Sequence, residues 1–151
     1  MEMSPHFFER LVLDLLHIMG YGGKDRHNII HTGYGPDGGI DGLIKEDALG
    51  LEHIYIQAKR WSPDSAVSSA EIQKFAGALS GKGARKGIFI TTTSFSKNAV
   101  KYADTHQLSR IILIDGKKLT ELMITYGVGL YTEITYKIQQ IDRDYFDEDK
   151  V

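Results

Sequence analysis

Residues 53–61 alternate with a period of two, and the polar members of the alternation are unusual: Ile54, Ile56 and Ala58 interleave with Tyr55, Gln57 and Lys59. On a strand, residues i and i+2 share a face, so Gln57 and Lys59 project together. A lysine on an otherwise apolar strand is costly unless it is paired or employed. Upstream lies Gly38-Gly39-Ile40-Asp41-Gly42, in which glycines surround a single acid. Ile40 to Lys45 reads as a strand and Asp47 to Gly50 as a turn, so the two segments pair as a β-hairpin. The hairpin brings Asp41 toward Gln57, sixteen residues further on. A carboxylate, a second oxygen ligand and a lysine beside an attacking water are the groups of a metal-dependent phosphodiesterase.

The rest of the chain supplies the frame. From Phe7 to Met19 apolar residues recur at helical spacing, with Ser4-Pro5 as cap and first helical position and Gly20 as the stop. Asn28 to Thr32 reads as a short strand. Ser68, with Glu71 three residues later, reads as a capping box opening a helix to about Leu79. Gly87 to Thr92 and Arg110 to Ile114 read as buried strands, with a helix from Ser96 to about His106 between them. A helix from Lys117 to Tyr126 ends at Gly127, and Tyr131 to Ile138 alternates like a last strand. Strand–helix–strand units after a hairpin imply right-handed crossovers. The expected fold class is α/β, with one mixed central β-sheet flanked by helices. One domain is expected over residues 1–138, followed by an acidic C-terminal tail over 139–151.

The 151 residues contain no cysteine, which excludes disulfide scaffolds, thiolate metal sites and cysteine nucleophiles. No signal peptide or long apolar run is visible, so the expectation is a cytoplasmic protein with no membrane partner. Charge is uneven despite a net −2. Residues 59–103 carry eight bases and two acids, whereas residues 1–58 carry nine acids and four bases. A basic middle is compatible with a phosphate-facing surface, and Arg60, Lys86 and Lys97 are the candidate DNA-binding contacts. His27, His31 and His53 show no spacing that marks a metal site. Asp37, four residues before Asp41, is a secondary candidate, for metal approach or for hydrogen bonding within the loop.

Taken in order, these segments resemble the catalytic domain of Mrr-type restriction endonucleases, within the PD-(D/E)xK nuclease superfamily in its D…QxK variant. The residues that carry the resemblance are Phe8-Glu9, Met19-Gly20-Tyr21, Asp37 to Gly42, Gln57-Ala58-Lys59-Arg60, Glu71 to Leu79, Gly87 to Thr92, Phe95-Ser96, Ile114-Asp115-Gly116 and Gly127-Val128-Gly129. The resemblance implies a restriction-endonuclease-like fold and a Mg²⁺-dependent deoxyribonuclease, with Mn²⁺ as a substitute cation. It implies Asp41, Gln57, the Ala58 carbonyl and Glu9 as metal ligands. Asp41, Gln57, Lys59, Glu9 and Gln73 are the implied catalytic set, with Lys59 beside the attacking water and Glu9 restoring the charge that Gln57 lacks. Double-stranded DNA is the implied partner, and restriction of foreign DNA, methylated DNA included, the implied role. Cutting both strands calls for a homodimer or higher oligomer on DNA. Family members often carry an N-terminal winged-helix module that reads DNA, whereas this sequence starts at the first helix of the catalytic domain. Two readings therefore stay open: a fragment with a recognition domain outside it, or a stand-alone nuclease domain that finds DNA by other means. Two alternatives are kept: a structure-selective repair nuclease or junction resolvase, and a non-catalytic DNA-binding module on a nuclease scaffold.

Overall fold

Five strands form one mixed sheet in a computed structural model that describes residues 3–33, 39–143 and 145–147. Asp37 lies outside the described residues. In chain order the elements are α1 (Pro5–Ile18), a 3₁₀ turn (Arg26–Asn28), β1 (Ile29–His31), β2 (Gly42–Lys45), β3 (His53–Lys59), β4 (Ala66–Val67) and α2 (Ser69–Gly81). They continue with β5 (Lys86–Thr91), β6 (Ser94–Phe95), α3 (Lys97–Thr105), β7 (Arg110–Ile114) and α4 (Gly116–Tyr126). The sheet order is β1-β2-β3-β5-β7. Pairing is antiparallel from β1 to β3 and parallel from β3 to β7. The hairpin and the two crossovers are thus as the alternation and the turns implied. β4 and β6 form a small parallel ladder of two residues each, too short for periodicity to reveal.

Each sheet face has its own core. Ile54, Ile56 and Ala58 of β3, with Ile88 and Ile90 of β5, pack against Phe8, Val12, Leu15 and Leu16 of α1 and Leu119 of α4. On the other face Phe89 and Ile111 meet Ile72, Phe75, Ala76 and Leu79 of α2, with Ala99 and Ala103 of α3. Each fully buried Phe or Leu contributes roughly 1.5–3 kcal/mol through its removal from water. Close layer contact depends on missing side chains. A Cβ on Gly87 would stand 2.7 Å from Leu79 Cδ1 and 2.8 Å from Phe75 Cζ. A Cβ on Gly116 would collide with the Thr92 carbonyl, which is backbone and has little room to move. Gly116→Ala is therefore expected to cost about 1–3 kcal/mol by overpacking, read as a lower urea midpoint with unchanged m-value.

Two expectations are corrected. Ser68 does precede α2, but its side chain makes no capping bond, and Glu71 does not reach back to it. Glu71 instead pairs with Lys59 and Lys74, and a charge-assisted pair outcompetes a neutral cap. Residues 131–138 form no strand. α4 ends at Gly127 in the left-handed region (φ +68°), and beyond it Tyr131, Ile134, Tyr136 and Ile138 are exposed. Alternation makes a strand only where a ladder partner exists, and none of the described strands pairs with this segment. Among the described residues no helix is long and apolar enough to cross a membrane.

Candidate active site

The backbone fixes Asp41 before its side chain does anything. The Asp41 N–H donates to the Ile56 carbonyl at 2.8 Å, and the Thr32 N–H donates to the Asp41 carbonyl at 3.1 Å. Asp41 therefore sits at the head of β2, clamped between the ends of β1 and β3. The β2–β3 register pairs Gly42 with Ile56, so continuing it by one residue sets Asp41 across from Gln57. The carboxylate Oδ2 accepts the Ala58 N–H at 2.7 Å. Burial pushes the Asp41 carboxyl up to about 6, with the Glu9 charge adding to the rise. The Ala58 N–H, His31 and Lys59 oppose it. That balance names the neighbours: α1 sends in Glu9, β1 His31, and β3 Lys59.

Glu9 is a buried acid, 8% exposed. Its Oε2 lies 3.0 Å from His31 Nε2 and 3.5 Å from His6 Nδ1. Gln57 is 4% exposed. A Cβ on Gly39 would come within 2.6 Å of Gln57 Nε2, so the glycine (φ +87°) lets the amide pack flat against the loop. The amide Oε1 is buried with no hydrogen-bond partner among the described residues. A buried acceptor left unmatched costs about 1–3 kcal/mol.

Lys59 ends β3, and the neighbouring strand holds it there. Thr91 Oγ1 donates to the Lys59 carbonyl at 2.8 Å, and Thr92 Oγ1 donates to the Trp61 carbonyl at 2.8 Å. Lys59 Nζ donates to Glu71 Oε2 at 2.6 Å, and Lys74 Nζ to Glu71 Oε1 at 3.0 Å. The Lys59 bond first, then the Lys74 bond, holds the Glu71 carboxyl below the usual carboxylate range. The ammonium also lies 5.8 Å from the centroid of the Trp61 ring, within cation–π reach.

Asp41 thus has both Glu9 and Lys59 as charged neighbours at one end of the sheet, and Gln57 stands in register with it. Gln73 is not brought there. It is exposed on α2, two residues and so about 200° around the helix from Glu71. Arg60 follows β3 and Lys97 opens α3, both exposed at the carboxyl end of the parallel strands. Lys86 begins β5, five register positions and so roughly 16 Å from the Lys59 level. There it pairs with Glu46 at 2.5 Å and Glu52 at 3.4 Å. Sequence reasoning missed His6, although its i, i+3 spacing to Glu9 on α1 offered a signal, His31, which no spacing links to Glu9, and Glu71, which reads as a cap.

The oxygen donors of Asp41, Glu9 and Gln57 suit a hard divalent cation. Comparisons with known proteins agree with the fold. The family model of the Mrr-type catalytic domain, described as a restriction endonuclease, matches residues 1–123. The chain is 44% identical over 147 residues to the type IV methyl-directed restriction enzyme EcoKMrr of Escherichia coli K12, which covers 97% of this chain. It spans 46% of that relative's length, about half. Among solved structures, the DNA modification-dependent restriction endonuclease AspBHI superposes with a TM-score of 0.63 at 20% identity, over 84% of this chain and 33% of that one. The MspJI restriction endonuclease, in complex with a 27-mer oligonucleotide, gives a TM-score of 0.52 at 25% identity, over 78% of this chain and 27% of that one.

Proposed function

The chain belongs to the Mrr-type catalytic-domain family of restriction endonucleases, and from that premise we propose that it is a divalent-metal-dependent nuclease domain. It hydrolyses phosphodiester bonds of double-stranded DNA in the restriction of foreign, modified DNA. The observation that carries this reading is the clamped, partly buried Asp41 carboxylate with Glu9 and Lys59 as its electrostatic neighbours. The methyl-directed relative supports modified DNA as the target. The protein works in the cytoplasm, where invading DNA is met.

The residues fit a Mg²⁺ ion, with Mn²⁺ as its substitute. Asp41, Glu9, the unmatched Gln57 Oε1 and the Ala58 carbonyl would hold it. Two neighbouring carboxylates would repel a DNA phosphate unless their charge were offset, which ties phosphate approach to cation binding. When bound, such a cation polarises the phosphate and lowers the pKa of a coordinated water. Lys59 orients the attacking water and offsets charge developing on the phosphate oxygens. Glu71 holds the ammonium from the α2 side through its 2.6 Å bond. Arg60 and Lys97 hold the backbone phosphates on either flank. Cleavage of both strands requires two such centres, hence a dimer on DNA.

The test is plasmid nicking with Mg²⁺ or Mn²⁺ on methylated and unmethylated DNA, comparing wild type with Asp41→Asn and Lys59→Met. Metal-dependent cutting by the wild type alone supports the reading. Equal DNA binding by all three with no cutting on any substrate overturns it. Gln57→Met probes the ligand set separately. It removes the unmatched amide, so stability is expected to hold or rise by about 1 kcal/mol. The Mg²⁺ concentration for half-maximal thermal stabilisation is expected to rise several-fold in the same melts.

A further inference from the structure

We propose that His6, Glu9 and His31 form a second cation site, selective for zinc-class metals, on the α1 side of the Asp41 centre. One ligand atom from each of the three residues lies within 4.8 Å of the others. Glu9 Oε2 is 3.0 Å from His31 Nε2 and 3.5 Å from His6 Nδ1. The two imidazole rings meet edge to face with centroids 5.0 Å apart. A tetrahedral Zn²⁺ with bonds of about 2.0–2.1 Å holds its ligand atoms roughly 3.3 Å apart. Closing the set around an ion therefore asks only for small side-chain movements. Three protein ligands leave a fourth position for water, the pattern of an open zinc site.

Ligand chemistry separates this site from the neighbouring one. Asp41, Gln57 and Glu9 offer oxygen alone and suit Mg²⁺, whereas two imidazoles and one carboxylate favour Zn²⁺, Co²⁺ or Ni²⁺. The ligands come from rigid elements: His6 and Glu9 lie on adjacent turns of α1, and His31 ends β1. An open cleft of about 450 Å³, lined by His6, Arg10, His17, Arg26 and His31 among others, gives an ion a path inward. One local bond must yield. The Gly33 N–H donates to His31 Nδ1 at 3.2 Å, which leaves the ring proton on Nε2. Metal at Nε2 moves that proton to Nδ1, and the exposed Gly33 N–H turns to water. The cost is small for a long, exposed bond.

Glu9 belongs to both sites, and here the inference rests on the nuclease reading. A zinc-class ion that takes Glu9 Oε2 draws this carboxylate from the Asp41 centre, so Zn²⁺ is expected to inhibit Mg²⁺-dependent cleavage. The ion site itself stands without that reading.

The experiment is a Co²⁺ titration followed by visible absorption, then displacement by Zn²⁺, on wild type, Asp41→Asn, His6→Ala and His31→Ala. Melting curves confirm that each variant is folded. Wild type and Asp41→Asn should develop the intense bands of four-coordinate cobalt, and Zn²⁺ should bleach them. Both histidine variants should lose affinity by more than the roughly 10- to 100-fold that an outer-shell substitution costs. Bands that persist in His31→Ala, bands lost in Asp41→Asn, or no Co²⁺ binding by the wild type would each overturn the proposal. In that last case His31 serves only to orient Glu9, and nicking with Mg²⁺ still reports on the nuclease reading independently.

Discussion

Asp41→Asn is expected to abolish cleavage, by roughly 10²–10³-fold or more, and at the same time to make the protein more stable at pH 8. The two effects share one cause. Burial and the Glu9 charge raise the Asp41 carboxyl from 3.8 to about 6. The folded protein therefore holds this proton more tightly than the unfolded chain does. Between those two values the folded state binds more protons, so stability falls as pH rises. Above about 6 the whole penalty is present. A shift of this size corresponds to at most about 3 kcal/mol, and solvent at a partly exposed carboxyl reduces it to about 1–2 kcal/mol. Asparagine keeps an oxygen for the Ala58 N–H and carries no charge, so it escapes the penalty. The stability difference between variant and wild type should be largest at pH 8 and nearly gone at pH 4. A cation needs the ionised form, so wild-type cleavage should rise through pH 6 and level off above it, and Mg²⁺ should stabilise the wild type alone. Denaturant melts at both pH values, with and without Mg²⁺, read all of this. A variant less stable than wild type at pH 8, or equally stabilised by Mg²⁺, contradicts the assignment of Asp41.

Much of the frame was legible because its signals are local. The alternation in 53–59, the turn at Asp47 to Gly50 and the apolar stripe of Phe8, Val12, Leu15 and Leu16 each depend on neighbours in the chain. Gln57 and Lys59 were legible for the same reason, since a polar pair on an apolar strand breaks a short-range rule. The electrostatic partners were not. His31 meets Glu9 across 22 positions of sequence, and only the packing of α1 on β1 brings them together. Glu71 shows how a local rule misleads: its spacing from Ser68 fits a capping box, yet Lys59, twelve residues upstream, wins it. The alternation in 131–138 misleads in the opposite direction, because a strand requires a partner that the described sheet does not offer.

Lys59→Met should lose cleavage by roughly 10²–10³-fold while the protein stays folded and still binds DNA. The aliphatic stem is replaced by one of similar length, and the side chain is only partly buried (33% exposed). What disappears is the ammonium, and with it the 2.6 Å bond to Glu71. Lys74 remains on the other Glu71 oxygen at 3.0 Å, so the loss of stability at neutral pH should be about 1 kcal/mol or less. The sign of its pH dependence follows from Glu71. A carboxyl held below its ordinary value adds stability above the unfolded value, and that stability is lost as pH falls through the folded one. The cost of Lys59→Met should therefore shrink in acid, just as the gain from Asp41→Asn does, the two effects being opposite in sign. If Lys59 acted only as a phosphate contact, the variant would bind DNA more weakly with a shallower salt dependence, and the cleavage rate at saturating DNA would survive. If Lys59 acts at the attacking water, saturation does not restore the rate, and Lys59→Arg fails too, because its planar fork cannot place a single point charge where the ammonium sits. Single-turnover cleavage and binding isotherms at two salt concentrations separate the two roles. Glu71→Gln completes the set: it frees the ammonium without removing it, so its effect on the rate should be far smaller than that of Lys59→Met.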